Sequence, residues 1–278
     1  MAFVCVWKEA FLIEFVFAFF FSRSWWGPGK SEDRTTLDVI MKHEEIGDLK
    51  IALHYETTNR VSARRDYSTE RVVPDINHMC EHYFDHPNYF KIDGRPVVVV
   101  YLTRSLEDIE GKLEEVALLM RTAAAKCGHS LYLVGDHVFN EPPADSESFG
   151  PYLYLDAVTN YDVYGSMGSD DVYAGPTVVD EYYEKQARWR SQAIEQNCRF
   201  IPAVSPGFND RGVRLWDDHQ ALSRQLTKDS PPGSFFSYSL NKAVPLVDPK
   251  AQNLLLVNSF NGKISLNCCS RDGAVVQH

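Results

Sequence analysis

The feature that most constrains the fold of this chain is a recurrent short apolar run that ends in polar or aromatic residues. Seven such runs occur along the sequence: FVFAFFF, LKIALHY, RPVVVVYL, SLYLVGD, LDAVTN, RFIPAV and LLLVN. Runs of this length predict strands. Because VVVV and LLLV are continuous rather than alternating, the strands are expected to be buried on both faces, as in a parallel sheet.

Between these runs, apolar residues repeat at a spacing of three or four among charged residues, which predicts amphipathic helices. The clearest stretches are residues 35–45, 105–126, 180–196 and 217–227. Repeated β–α alternation builds either an open doubly wound sheet or a closed barrel. No G-x-G-x-x-G sequence follows an early strand, and GSMGSD at 165–170 lacks that spacing, so the α/β class narrows to a (β/α)8 TIM-type barrel.

The barrel is expected to span residues 24–261, ending at Asn261, and to be incomplete at both ends. Only seven strand candidates are present where such a barrel needs eight. Nothing before Ala10 qualifies as a strand, so the first strand is expected to be missing. Residues 1–23 form an atypical apolar segment, and residues 262–278 form an atypical tail in place of the last helix.

Composition narrows the class of partner. The formal net charge is −10 over 278 residues, so the chain lacks the basic excess that nonspecific nucleic-acid binding requires. Aromatic residues make up 13% of the chain, and their rings suit ligands that present C–H faces, such as sugars. The apolar run 10–21 contains Glu14 and is shorter than the ~20 residues of a membrane-spanning helix, so no membrane partner is expected.

The sequence predicts no cofactor and no metal. Its six cysteines show no C-x-x-C spacing, which argues against a zinc ribbon. His78, His82 and His86 would share one face of a helix, but Pro87 ends that helix near His86 and displaces the third ligand. There is also no G-x-S-x-G elbow for a serine hydrolase.

Functional side chains of a barrel collect at the C-terminal ends of its strands. Glu56 directly follows LKIALHY, beside Tyr55 and close to Arg60. It would accept sugar hydroxyls, or act as a base if burial raised its pKa. The alternative is a solvated loop acid paired with Arg60. Trp25 and Trp26 offer a platform for stacking on a sugar, or equally a plug for the core.

Later strand ends add aromatic and charged groups. Tyr161 and Tyr164 lie in TNYDVYG, a set suited to reading hydroxyls. SPGFNDRGVRLWDD supplies Asp210, Arg214 and Trp216, which offer a carboxylate, a guanidinium fork and a stacking plane. The alternative for this segment is a structural Asp–Arg pair that pins a long loop.

These stretches resemble motifs of glycoside hydrolase family 99, the endo-α-1,2-mannosidase group. SWWGPG resembles its S-W-Y-P-P-G segment, and LHYETTNR its H-x-E-P-Y…R segment, with Thr57 where proline is usual. HPNYFKIDGRPVVVVYLTRS is similar to its H-P-x-Y…G-x-P strand entry, and PGFNDRGVRLW to its P-G-Y-x-D-x-x-I-R-P-W segment. LLLVNSFN then matches the strand that carries the catalytic turn. The resemblance spans residues 24–261 and rests on the order of the motifs.

The resemblance implies a retaining enzyme without a metal, in which the substrate 2-hydroxyl takes part and two glutamates of S-F-N-E-W-H-E are essential. Here SFN is present and ends at Asn261, but GKIS at 262–265 replaces E-W-H-E. The glutamate pair expected after Asn261 is therefore missing, and no catalytic residue is assigned. Lysine and serine cannot serve first as a neutral acid and then as a carboxylate base, so we expect little or no glycosidase activity. The substrate-binding residues that remain are Trp25, Trp26, Tyr55, Glu56, Arg60, Tyr161, Tyr164, Asp210, Arg214 and Trp216.

The sequence therefore predicts a glycoside hydrolase of the endo-acting α-mannosidase type that takes an oligosaccharide or glycan and is impaired in this chain. Two alternatives stay open: a catalytically inactive carbohydrate-binding pseudoenzyme, and a related barrel hydrolase acting on α-glucans or other polysaccharides. The atypical ends are those expected of a truncated or misassembled gene model. A place in the secretory pathway or Golgi is implied by the resemblance alone.

Overall fold

A computed structural model describes residues 2–6, 18–61, 67–107, 111–137, 141–161, 163–167, 171–209, 221–252 and 254–258. Its strands are β1 (Ala2–Val6), β2 (Ala18–Trp25), β3 (Lys50–Tyr55), β4 (Lys91–Ile92), β5 (Arg95–Val100), β6 (Tyr132–Asp136), β7 (Ala157–Thr159), β8 (Arg199–Ile201), β9 (Ala203–Val204) and β10 (Leu254–Asn258). Its α-helices are α1 (Ser31–Arg34), α2 (Thr57–Arg60), α3 (Val72–Met79), α4 (Arg104–Glu107), α5 (Lys112–Lys126), α6 (Gly175–Glu195) and α7 (Ser234–Ala243). Two π-helical segments, Thr35–Ile40 and Cys80–Phe84, continue α1 and α3.

The strands form a sheet in the order β8-β7-β6-β5-β3-β2-β1-β10-β9, with β4 attached to β5. Neighbours from β2 to β8 along this order are parallel, and so are β10 and β9. Each apolar run predicted as a strand contributes to this sheet. The helices that follow the strands complete the repeated β–α order of a partial (β/α)8 barrel.

The two ends of this order meet at one segment of chain. Pro202 separates β8 from β9, and the Leu256 N–H of β10 donates to the Pro202 carbonyl at 2.9 Å. The first half of this segment pairs with β7 and the second half with β10. The sheet therefore closes on itself, with β8 and β9 acting as one strand.

The strand β1 corrects the expectation that nothing before Ala10 forms a strand. It pairs with both β2 and β10, with Ala2 opposite Ser22 on one side and Asn258 on the other. Both pairings are antiparallel, against the direction of its neighbours. Seven parallel strands leave two edges whose backbone groups need partners, and a strand of either direction satisfies them.

Two predicted helices also differ from the structure. The stretch 105–126 divides into α4 and α5 because Gly111, just before α5, is left-handed with φ 72° and ends any continuous helix there. In the stretch 217–227, the described residues 221–227 form no helix, since Leu222 pairs with the Phe208 backbone at 2.8 and 3.2 Å. Among the described residues that follow, the next helix is α7, which begins after the left-handed Gly233.

The two-residue period of the strands sorts their side chains into two layers. In β3, Ile51, Leu53 and Tyr55 pack outward against α3 and α5, whereas Ala52 packs into the barrel interior. The interior below the C-terminal strand ends is apolar and holds a small cavity, lined by Phe90, Ile92, Val97, Val99, Val134, Thr159, Ile201, Leu254 and Leu256. Among the helices in the described ranges, none has the length and apolarity that crossing a bilayer requires.

Candidate functional site

The C-terminal ends of the parallel strands bring a polar cluster together at one mouth of the barrel. Glu56 follows β3 directly, and its N–H donates to the Trp25 carbonyl at the end of β2 (3.2 Å). Asp136 ends β6, and its carbonyl accepts from the Thr103 N–H at 2.9 Å. His54 lies two positions before Glu56, so both side chains leave β3 on the inner face.

Glu56 is the buried acid of this cluster, with 5% of its surface exposed. Burial raises the pKa of its carboxyl above the ordinary range, and the charge of Asp136 acts in the same direction. His54 and a hydrogen bond from Ser24 lower the Glu56 pKa and only partly offset the burial. A carboxyl in such a place can hold a proton at a higher pH than a surface acid and can accept hydroxyl groups once ionised.

His54 and Asp136 form a pair beside Glu56. The His54 Nε2 lies 3.5 Å from the Asp136 Oδ2, and the two side chains are 8% and 0% exposed. The His54 ring also meets the edge of Tyr101, with ring centroids 5.3 Å apart. The groups around Glu56 therefore come from three strands: His54 lies on β3, Asp136 ends β6, and Tyr101 directly follows β5.

Half-buried aromatic rings rise around this polar floor. Tyr101 meets Tyr161 edge to face at 6.3 Å, and Tyr161 meets Phe208 at 6.2 Å. Tyr164 lies against Phe208 with centroids 4.4 Å apart. Trp26 is also half-buried, next to the buried end of β2. Rings in this position suit the C–H faces of a ligand that is held by hydrogen bonds below.

Three predicted binding residues lie in the outer layer instead. Trp25 is fully buried, stacks on Tyr55 at 5.9 Å and donates its Nε1–H to Asp33 at 2.8 Å. Tyr55 is equally buried and donates its hydroxyl to Asp75 at 3.0 Å. The structure corrects their assignment, because strand alternation points Trp25 and Tyr55 away from the mouth and leaves no surface on which a sugar could stack.

Arg60 is the third of these residues. Its guanidinium binds both carboxylate oxygens of Asp75, with Nε at 2.8 Å, and lies 5.8 Å from the centre of the Trp25 ring. Gly27 passes so close to Arg60 that a Cβ there would lie 2.6 Å from the guanidinium. Arg60 is thus a structural partner of Asp75, and Glu56 is buried, so the alternative in which Glu56 is a solvated acid paired with Arg60 does not hold.

Comparison with known proteins relates this architecture to others. No family model matches the chain. A glycoprotein endo-α-1,2-mannosidase from Xenopus laevis is 24% identical over 252 residues, which cover 86% of this chain and 49% of that protein. The chain therefore spans about half the length of this curated relative.

Solved structures agree with the sequence match. The GH99 endo-α-mannosidase from Bacteroides thetaiotaomicron, in complex with bis-tris-propane, matches with a TM-score of 0.59 and 19% identity over 87% of this chain and 66% of that chain. A glycoside hydrolase-like protein matches with a TM-score of 0.54 and 20% identity over 76% of this chain and 61% of that chain. The chain is similar to these proteins in sequence and in fold. At these identities the structural matches establish a shared fold.

Part of the predicted site lies outside the described residues. Three predicted binding residues, Asp210, Arg214 and Trp216, fall there and stay predictions. The other predicted binding residues lie within the described ranges. Apart from the three in the outer layer, these residues follow C-terminal strand ends, and their role in binding stays a prediction: Trp26 after β2, Glu56 after β3, and Tyr161 and Tyr164 after β7.

The predicted catalytic turn is also outside the described part of the chain. The strand β10 ends at Asn258, whereas the sequence places the end of the barrel at Asn261. Asn261 and the segment 262–265 both lie beyond the last described residue. The boundary at Asn261 and the missing glutamate pair after it therefore stay predictions from the sequence.

Two residues at the mouth of the barrel, His54 and Tyr101, are not among the predicted binding residues. His54 was available from its two-residue offset to Glu56, and Tyr101 from its place after VVVV. His78, one of the three histidines considered as metal ligands, contacts a carboxylate in the outer layer: its Nε2 lies 3.0 Å from the Asp33 Oδ1. Within the described ranges, no group of three or more His, Cys, Asp or Glu side chains is arranged to hold a metal ion.

Proposed function

We propose that this chain is a glycoside hydrolase-type barrel of the endo-acting α-mannosidase kind, and that its mouth binds glycans with α-mannosidic linkages. The observation that carries the proposal is the buried Glu56 beside His54 and Asp136, beneath the rings of Tyr101 and Tyr161. A carboxylate floor with an aromatic rim is suited to a neutral polyhydroxylated ligand. The names of the Xenopus and Bacteroides proteins support the α-mannoside class.

Binding would divide between the two parts of the mouth. Glu56 accepts sugar hydroxyls through its carboxylate oxygens, and a charged acceptor makes the stronger kind of hydrogen bond. Tyr101, Tyr161 and Trp26 pack against the C–H faces of the sugar ring. The net acidic charge of the chain fits a neutral glycan better than a phosphorylated one.

Turnover is proposed to be strongly reduced. The sequence after Asn261 is GKIS where the family that it resembles has E-W-H-E. Glycosidase chemistry needs one group that donates a proton to the leaving oxygen and later accepts one, which neither lysine nor serine can do there. This sequence also favours a second candidate function, in which the chain binds the glycan without cleaving it.

Calorimetry with the full chain tests the proposal. We expect saturable binding of α-1,2-linked mannobiose and longer oligomannosides, and weaker binding of α-1,2-linked glucobiose. Glu56→Gln should weaken mannoside binding roughly tenfold, since a lost charged hydrogen bond is worth about 1.5 kcal/mol. Glu81→Gln, the same change at a largely exposed acid on the outer π-helical segment, should leave the affinity unchanged.

The outcomes separate the candidates. If none of these sugars binds saturably, the proposal is rejected. If the glucobiose binds more tightly than the mannobiose, the chain is a hydrolase of α-glucans instead. Chromatography of oligomannose after prolonged incubation with the chain then distinguishes an active hydrolase from a binding protein. A released mannose oligomer identifies a hydrolase, and an intact substrate identifies a binding protein.

A further inference from the structure

A pair of cysteines lies on the outer helical layer, on the far side of β3 and β5 from the mouth. Cys80 begins the π-helical segment that continues α3, and Cys127 follows the last residue of α5. The Cys127 Sγ lies 3.8 Å from the Asn77 Oδ1, and Asn77 precedes Cys80 by one helical turn on the same face. Cys127 is therefore a neighbour of Cys80, and its proximity contributes to the raised pKa of the Cys80 thiol.

The two thiols differ in their access to solvent. Cys127 is exposed, whereas Cys80 is buried with 8% of its surface exposed. Burial, together with the neighbouring Cys127, raises the pKa of the Cys80 thiol to about 12. The thiolate is the nucleophilic form, so Cys127 is the group that a reagent in solution meets first. Cys198 is buried elsewhere, against the Leu155 and Arg199 carbonyls.

We propose that Cys127 and Cys80 form a thiol–disulfide exchange site that takes a small-molecule disulfide such as oxidised glutathione and closes to a bond between α5 and the end of α3. Cys127 loses its proton, and its thiolate attacks one sulfur of the reagent. One glutathione leaves as a thiolate and takes up a proton. Cys80 then loses its proton, attacks the Cys127 Sγ and releases the second glutathione thiol.

The exchange balances in atoms and electrons. Two protein thiols are oxidised to one disulfide, and one glutathione disulfide is reduced to two thiols. The new bond would link the ends of two helices, α3 and α5, that already pack against each other. It would also close the chain segment between Cys80 and Cys127, which restricts the unfolded state. The oxidised chain should therefore resist urea better than the reduced chain.

Peptide mapping of the full chain tests this assignment. The protein is equilibrated in a buffer of oxidised and reduced glutathione, alkylated, digested and analysed by mass spectrometry, which reports each cysteine separately. We expect a cross-linked peptide pair containing Cys80 and Cys127, which a dithiol reductant releases. Cys80→Ser should instead accumulate a stable glutathione adduct on Cys127. Cys198→Ser is the matched control and should leave the cross-link unchanged.

Two results would overturn the proposal. One is a chain without substitutions in which the Cys127 adduct persists while Cys80 stays free for alkylation. The other is a chain in which neither thiol is modified under conditions that convert an exposed model thiol. Circular dichroism of each variant verifies the fold, and the unsubstituted chain gives a decisive reading even if a variant unfolds.

Discussion

Glu56 carries an energetic cost for its position at the barrel mouth. Burial raises its pKa in the folded chain above the unfolded value. The contribution of the protonated Glu56 to the free energy of unfolding is fully present below the unfolded pKa. It is lost as the pH rises through the folded pKa, where the buried carboxyl must ionise. Glu56→Gln should therefore gain stability relative to the unsubstituted chain as the pH rises from acid to neutral, which urea unfolding at a series of pH values measures.

Asp33 provides the contrasting case at the same scale. Burial alone would raise its pKa, but hydrogen bonds from Tyr83, Gly29, Trp25 and His78 together hold the pKa below its ordinary value. The contribution of the Asp33 carboxylate to the free energy of unfolding is present above the unfolded pKa and is lost as the pH falls through the folded pKa. Asp33→Asn should cost more at neutral than at acid pH. Profiles of the two variants that change in the same direction with pH would contradict one of the two assignments.

At the scale of the elements, the carboxylate of Asp75 connects helix α3 to β3 and α2. Asp75 is fully buried and binds the Tyr55 hydroxyl and the Arg60 guanidinium. Asp75→Asn should lower the free energy of unfolding by about 3 kcal/mol, because the largely buried Arg60 keeps its charge and loses its partner. Denaturant unfolding measures the loss. Asp38→Asn, in an exposed ion pair with Lys42, should change stability little, and an equal loss there would refute this role for Asp75.

At the scale of the whole molecule, we expect the proposed glycan binding at the mouth and a cluster of stabilising ion pairs to lie at opposite ends of the barrel. At the opposite end from Glu56, Asp156 immediately precedes β7 and accepts hydrogen bonds from Arg95 (2.6 Å), Arg121 (2.7 Å) and the Leu133 N–H (2.8 Å). Asp156→Asn should lower the free energy of unfolding by about 2 kcal/mol through weaker charged hydrogen bonds and leave glycan affinity unchanged. Unfolding and calorimetry on the same preparation check both halves. A large loss of affinity in the folded variant would argue against this separation.

Much of the barrel could be predicted from the sequence, because a continuous apolar run reports a strand wherever the run stands in the chain. The carboxylate of Glu56 was located at a strand end for the same reason. Residues 2–6, AFVCV, are also a short apolar run, but they are not among the strands predicted from the sequence. They became β1 because two sheet edges needed a partner, and that need exists only once the other strands have assembled.

The sequence by itself determined the strand-and-helix order and the position of Glu56 at a strand end, since both follow from local apolar patterning. Only the tertiary structure decided which side of each strand faces the mouth. It placed Trp25 and Tyr55 in the outer layer, and it paired Arg60 with Asp75 rather than with Glu56. The physical reason is that adjacent side chains of a strand always point to opposite faces of the sheet. Only the closure of the sheet into a barrel decides which of the two faces is the inner one.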